Sequence, residues 1–101
     1  MAVVYIQEFP IQSEDTSNYD AVVAALDLKG PPDGLIVHTA GFDRDAGVFR
    51  ILDVWESKAQ GERFNNDRLG PILESMMAAA AEGDWSPPTR DVWYELHDEI
   101  H

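Results

Sequence analysis

Apolar residues recur along this chain with two different spacings, and each change of spacing marks an element. Ala2 to Phe9 is rich in β-forming residues and closes at Pro10, which predicts a first strand. Ile11 to Thr16 reads as a polar loop. Beyond it Tyr19, Val22, Val23 and Leu26 stand at i, i+3, i+4 and i+7, the stripe of an amphipathic helix, with Thr16 to Asn18 offering N-caps and Gly30-Pro31-Pro32 stopping it. Strands are expected from Leu35 to Phe42 and from Val48 to Glu56, joined through the polar turn Asp43-Arg-Asp-Ala-Gly47 as a hairpin. Ser57 and Gln60 have the spacing of a capping box, so Ser57 starts a helix containing Phe64 and Leu69 that Gly70-Pro71 breaks or kinks. Ile72, Leu73, Met76, Met77 and Ala80 continue at helical spacing, giving a second piece from about Pro71 to Glu82. The Met76-Met77-Ala-Ala-Ala-Ala81 run reads as helix core. A loop over Gly83 to Pro88 leads to a fourth strand, Val92 to Leu96.

The resulting order is that of an α+β, ferredoxin-like βαββαβ domain with a split second helix and an antiparallel four-stranded sheet. At 101 residues without repeats or linkers, the chain reads as one domain, 1–101. Helices on one side leave the other sheet face to be polar, to cover a ligand or to meet another subunit. Leu35, Val37 and Thr39 alternate with Ile36, His38, Ala40 and Phe42, and Val48, Leu52 and Val54 with Phe49, Ile51 and Trp55, so both hairpin faces carry large apolar groups. A second layer beyond the helices is implied.

Charge and residue usage narrow the partners. Nineteen acidic against seven basic residues give a net charge of −12, which repels phosphate backbones and anionic lipid, so neither nucleic acid nor a membrane surface is an expected partner. An evenly acidic surface also simply favours solubility. With no cysteine, the chain has no disulfide framework, zinc finger or thiol nucleophile. Met1 to Glu8 lacks a basic n-region, and no segment approaches ~20 uninterrupted apolar residues, so a cytoplasmic setting is the default. No Gly-x-Gly-x-x-Gly, Walker loop or Gly-x-Ser-x-Gly elbow supports a nucleotide cofactor or serine hydrolysis.

His38 lies mid-strand among apolar neighbours, and an ordinary pKa near ~6.5 suits it to act as a general base. Asp53 is equally out of place in Phe49-Arg-Ile-Leu-Asp-Val-Trp55, because a buried carboxylate needs a partner. If Phe42 pairs with Phe49 across the hairpin, His38 falls opposite Asp53 and the two form a catalytic dyad; a one-residue slip destroys it. Arg50 could satisfy Asp53 instead as a structural ion pair, and His38 could be a core or interface histidine. Tyr5, Phe42, Phe49, Trp55 and Trp93 could wall an aromatic substrate pocket, although aromatics at strand spacing are more often core. His97 and His101, four apart at the end of a strand, do not match the metal-binding His-Glu-x-x-His helix, and no metal is assigned.

The runs Gly34-Leu-Ile-Val-His-Thr-Ala-Gly41 and Arg50-Ile-Leu-Asp-Val-Trp-Glu-Ser57, the helix through Arg63-Phe64 and the break Arg68-Leu-Gly-Pro71 together resemble the dimeric α/β-barrel superfamily, in its antibiotic-biosynthesis monooxygenase-like branch. The resemblance implies a homodimer packed sheet to sheet, with a cavity beside each sheet. It also implies cofactor-independent monooxygenase-like chemistry on a small aromatic or polyketide-type molecule, with no bound cofactor; isomerase and cyclase chemistry share the same base. Haem-degrading relatives fit poorly, since their helix carries a tryptophan where Phe64 stands and Gly61 to Glu82 holds no histidine. The alternative is a non-catalytic dimer that binds a hydrophobic small molecule or serves interaction alone.

Overall fold

The computed structural model describes residues 2–11, 16–79, 88–98 and 100. Four strands, β1 (Val3–Pro10), β2 (Leu35–Asp43), β3 (Val48–Trp55) and β4 (Arg90–Glu95), form one antiparallel sheet in the order β2-β3-β1-β4. Helix α1 (Ser17–Leu26) follows β1, and α2 (Lys58–Phe64), a π-helical turn (Asn65–Leu69) and α3 (Gly70–Ala79) lie between β3 and β4. This is the ferredoxin-like α+β arrangement, with every strand within two residues of its expected bounds.

Three local expectations change. Helix α1 ends at Leu26, before the Gly-Pro-Pro stop, because Asp27 takes the left-handed conformation (φ 47°) that terminates a helix. The chain is not broken at Gly70-Pro71. Instead the turn ahead of Pro71 widens, and the Gly70 N–H bonds to the Asn65 carbonyl five residues back. Proline offers no N–H and needs room against the preceding turn, which a π-turn supplies within a continuous helix. Third, the β2–β3 register shifts between Leu35 and Val37, so Leu35 does not share a face with Val37 but packs in the core with Trp55. The far end of the expected second helical piece and most of the 83–88 loop lie outside the described residues.

The core is small and centred on Trp55, 1% exposed, with Val3 and Tyr5 around it and Leu35, Phe64 and Trp93 packed on them. Ser57 caps α2 as its spacing implied: its Oγ accepts from the Gln60 N–H at 3.2 Å and donates to Gln60 Oε1 at 2.9 Å. That cap sets α2 so that Gly61 lies against the indoles; a Cβ there would stand 2.6 Å from Trp93 and 3.1 Å from Trp55.

The other sheet face bears Val4, Ile6, Val37, Thr39, Leu52, Val54, Val92 and Tyr94. Val37, Val92 and Tyr94 are 40%, 37% and 47% exposed. Across one end of this face runs a row of charges, one per strand, of alternating sign. Arg50 donates to Asp43 at 2.9 Å and to Glu8 at 2.6 Å, and Glu8 also accepts from Arg90 at 3.0 Å. Arg50 therefore does not satisfy Asp53: strand alternation puts the two on opposite faces.

Candidate functional site

Between the helix-facing side of the sheet, α1 and the α2–α3 helix lies an open cavity of about 1220 Å³. Its sheet wall carries Tyr5, Phe42, Phe49, Ile51 and Trp55 with His38 and Asp53 among them; Tyr19, Val22 and Leu26 face it from α1, and Phe64, Asn65 and Leu69 from the other helix. The π-turn thus lies along the wall. Among the described lining residues no lysine or arginine occurs.

Phe42 pairs with Phe49 in the β2–β3 register, and His38 is consequently set opposite Asp53. The imidazole Nδ1 lies 2.5 Å from Asp53 Oδ1, and since a carboxylate only accepts, Nδ1–H is the donor. The Asp53 side chain is 17% exposed and that of His38 42% exposed, so the acid sits deeper and the imidazole reaches open space. The hydrogen bond to Asp53 raises the His38 pKa above its ordinary value, burial pulls the other way, and the charge of Asp53 adds to the rise.

The second imidazole nitrogen has a partner that the sequence does not reveal. Tyr19 Oη lies 2.7 Å from His38 Nε2, with the two rings parallel within 6°. In neutral His38 the proton on Nδ1 leaves Nε2 as acceptor, so Tyr19 donates and the order is Tyr19 to His38 to Asp53. Burial, and then the negative charges of Asp53 and Asp20, push the Tyr19 hydroxyl pKa up. By spacing alone Tyr19 is one more apolar position of the α1 stripe. The signal lies in its hydroxyl, which needs a partner when a tyrosine occupies a core-facing position.

The aromatic residues named from sequence divide. Phe42 and Phe49 meet edge to face at 5.1 Å, and Tyr19 packs on Phe49 at 5.5 Å, making a continuous aromatic wall beside the imidazole. Tyr5 and Trp55 also line the cavity, and Trp55 leans on Phe64 with ring centres 5.7 Å apart. Burial, and then a hydrogen bond to Asp91, hold the Tyr5 hydroxyl far above the usual phenol range. Trp93 stands behind Tyr5 rather than on the wall, stacked on it at 4.2 Å. Among the described residues no group of three potential metal ligands stands together, and no helix is long and apolar enough to cross a membrane. His101 lies outside the described residues.

Several solved structures share this fold over nearly the whole chain. A presumed antibiotic biosynthesis monooxygenase from Chloroflexus aurantiacus J-10-fl superposes with a TM-score of 0.65 at 11% identity, covering 100% of this chain and 98% of that one. SnoaB, a cofactor-independent oxygenase from Streptomyces nogalater solved as a point mutant, gives 0.64 at 14% identity over 98% and 96% of the two chains. The NE2512 protein of Nitrosomonas europaea, of unknown function, gives 0.64 at 18% identity over 99% and 92%. No protein-family model matches the chain, and neither does any curated protein. At these identities the shared property is the fold, and the chemistry has to be argued from the site.

Proposed function

We propose that the cavity binds a small aromatic or polyketide-type molecule and that His38, oriented by Asp53, takes a proton from its phenolic or enolic hydroxyl. The observation that carries this reading is the 2.5 Å Nδ1–Oδ1 contact on the wall of an aromatic-lined cavity. Asp53 fixes the tautomer that leaves Nε2 basic and stabilises the imidazolium formed when it accepts a proton. Tyr5, Phe42, Phe49 and Trp55 supply the apolar surface against which a planar ligand packs, with Trp93 backing Tyr5. The resulting electron-rich anion is the species from which a cofactor-independent oxygenation starts, and the fold likeness to a cofactor-independent oxygenase supports that step for this chain. Isomerisation or cyclisation would use the same base.

The test is turnover of a panel of hydroxyaromatics in air and in anaerobic buffer. Oxygen-dependent product, lost in His38→Ala with binding retained, supports the oxygenase. Oxygen-independent product supports an isomerase or cyclase. One observation favours a second, non-catalytic reading: both imidazole nitrogens are already bonded, as in a structural histidine. On that reading His38→Ala lowers stability or dimerisation and no substrate turns over.

The protein is also proposed to be a homodimer through its open sheet face. That face is apolar at its centre, and its charge row reads, in strand order, Asp43, Arg50, Glu8, Arg90. A two-fold axis parallel to the strands reverses the row, so each sign meets its opposite on the other copy.

A further inference from the structure

We propose that Tyr19, rather than His38 itself, meets the ligand, and that the ligand is an uncharged aromatic bearing a hydroxyl group. This deepens the reading above and rests on it. In the neutral state the basic lone pair of His38 is covered: Nδ1 is held by Asp53 and Nε2 by Tyr19 Oη at 2.7 Å. A hydroxyl entering the cavity therefore reaches the base only by displacing Tyr19 or by donating to it. Displacement costs an existing hydrogen bond, whereas donation uses a lone pair that a tyrosine hydroxyl still has free while it donates. The Tyr19 ring is fixed for this role, packed edge-on against Phe49 at 5.5 Å and parallel to the imidazole. It also stands on the first turn of α1 and lines the cavity.

The proton count closes without a further group. The ligand O–H bond breaks as its proton bonds to Tyr19 Oη, and the proton Tyr19 held passes to His38 Nε2. Tyr19 ends neutral, the ligand becomes an oxyanion, and the imidazolium is balanced by Asp53. Reversing both transfers returns a proton to the product.

The charge of the wall sets the class of ligand. Among the described lining residues the carboxylates are Asp20 and Asp53 and the only group that can become a cation is His38, whose charge Asp53 already balances. A carboxylated or phosphorylated aromatic would lose its hydration and meet no compensating cation. An uncharged hydroxyaromatic avoids that cost.

Calorimetric titration of the whole protein with 2-naphthol, 2-methoxynaphthalene and 2-naphthoate at mildly alkaline pH, which favours neutral His38, tests both halves in the wild type, in His38→Ala and in the double variant Tyr19→Phe/His38→Ala; Tyr19→Phe alone would uncover His38 Nε2 for the naphthol hydroxyl. The hydroxyl preference, naphthol over its methyl ether, is expected to be about fivefold in the wild type, as one neutral hydrogen bond gives, to persist in His38→Ala, where Tyr19 remains, and to vanish in the double variant. The carboxylate is expected to bind at least about tenfold more weakly than naphthol. Thermal melts report whether each variant is folded. If the double variant unfolds, His38→Ala decides alone: retention of the preference there supports Tyr19 as the contact, and its loss overturns that. A preference that survives in the folded double variant overturns the role of Tyr19. Naphthoate binding as tightly as naphthol overturns the charge argument, while the aromatic site itself stands. Failure of all three to bind overturns this inference and the proposed function together.

Discussion

At the residue scale the molecule turns on His38, whose pKa is raised chiefly by its hydrogen bond to Asp53. Its titration, followed by imidazole NMR, is expected above ~6.5 in the folded protein. Asp53→Asn removes the charge and the charged acceptor and brings that value down. A base must be unprotonated, so on the proposed function the rate rises with pH through the folded-state value, and the Asp53→Asn profile shifts toward lower pH with a reduced plateau. The stability link has the opposite slope. A raised folded-state pKa contributes stability in full below ~6.5 and loses it as pH rises through the folded value. With the His38 side chain 42% exposed, solvent screening keeps that contribution small. Flat denaturant midpoints across this window in Asp53→Asn, against a fall with rising pH in the wild type, would check the sign. His38 and Asp53 were legible because polar residues stand out in apolar strands and one assumed pair, Phe42 with Phe49, sets the register as far as His38 opposite Asp53. Tyr19 was not legible, because its spacing is that of an ordinary core position and only the docking of α1 over β2 gives its hydroxyl a partner.

At the element scale the capping box, the hairpin and the four strands follow from local pattern, since each depends on residues within a few positions of one another. The departures arise where another element intervenes. The bulge before Val37 turns Leu35 into the core beside Trp55, and the π-turn before Pro71 keeps the helix continuous along the cavity. The contact of α2 with the sheet depends on the absence of a side chain at Gly61, where a Cβ would meet Trp93 at 2.6 Å. Gly61→Ala is therefore expected to destabilise by ~1–3 kcal/mol in urea or thermal unfolding, despite alanine's better helix propensity. An unchanged or raised midpoint would mean that the indoles move aside at no cost. Trp55→Ala empties the centre of the core and is expected to cost ~3–5 kcal/mol in the same measurement.

At the scale of the whole molecule, one sheet face lies beneath the helices and the cavity, while the other exposes Val37, Val92 and Tyr94. Sedimentation equilibrium is expected to give twice the chain mass for the wild type. Tyr94→Glu puts a charge into the apolar part of that face and is expected to weaken the dimer at least about tenfold while leaving the far-UV spectrum unchanged. A wild type that sediments as a monomer at high protein concentration would remove the dimer from the account.

The sequence alone determined the order of elements, the cap of α2 and, by way of strand alternation and one assumed pair, the apposition of His38 and Asp53. These depend on short-range periodicity, which the backbone reads directly. Only the tertiary structure decided which sheet face the helices cover, and with it that His38 and Asp53 line the cavity, that Tyr19 closes the chain of hydrogen bonds, that Leu35 turns inward and that the cavity wall lacks a basic side chain among its described residues. Each of these depends on how α1 and the α2–α3 helix settle on the sheet, a packing of residues far apart in the chain that no local spacing encodes.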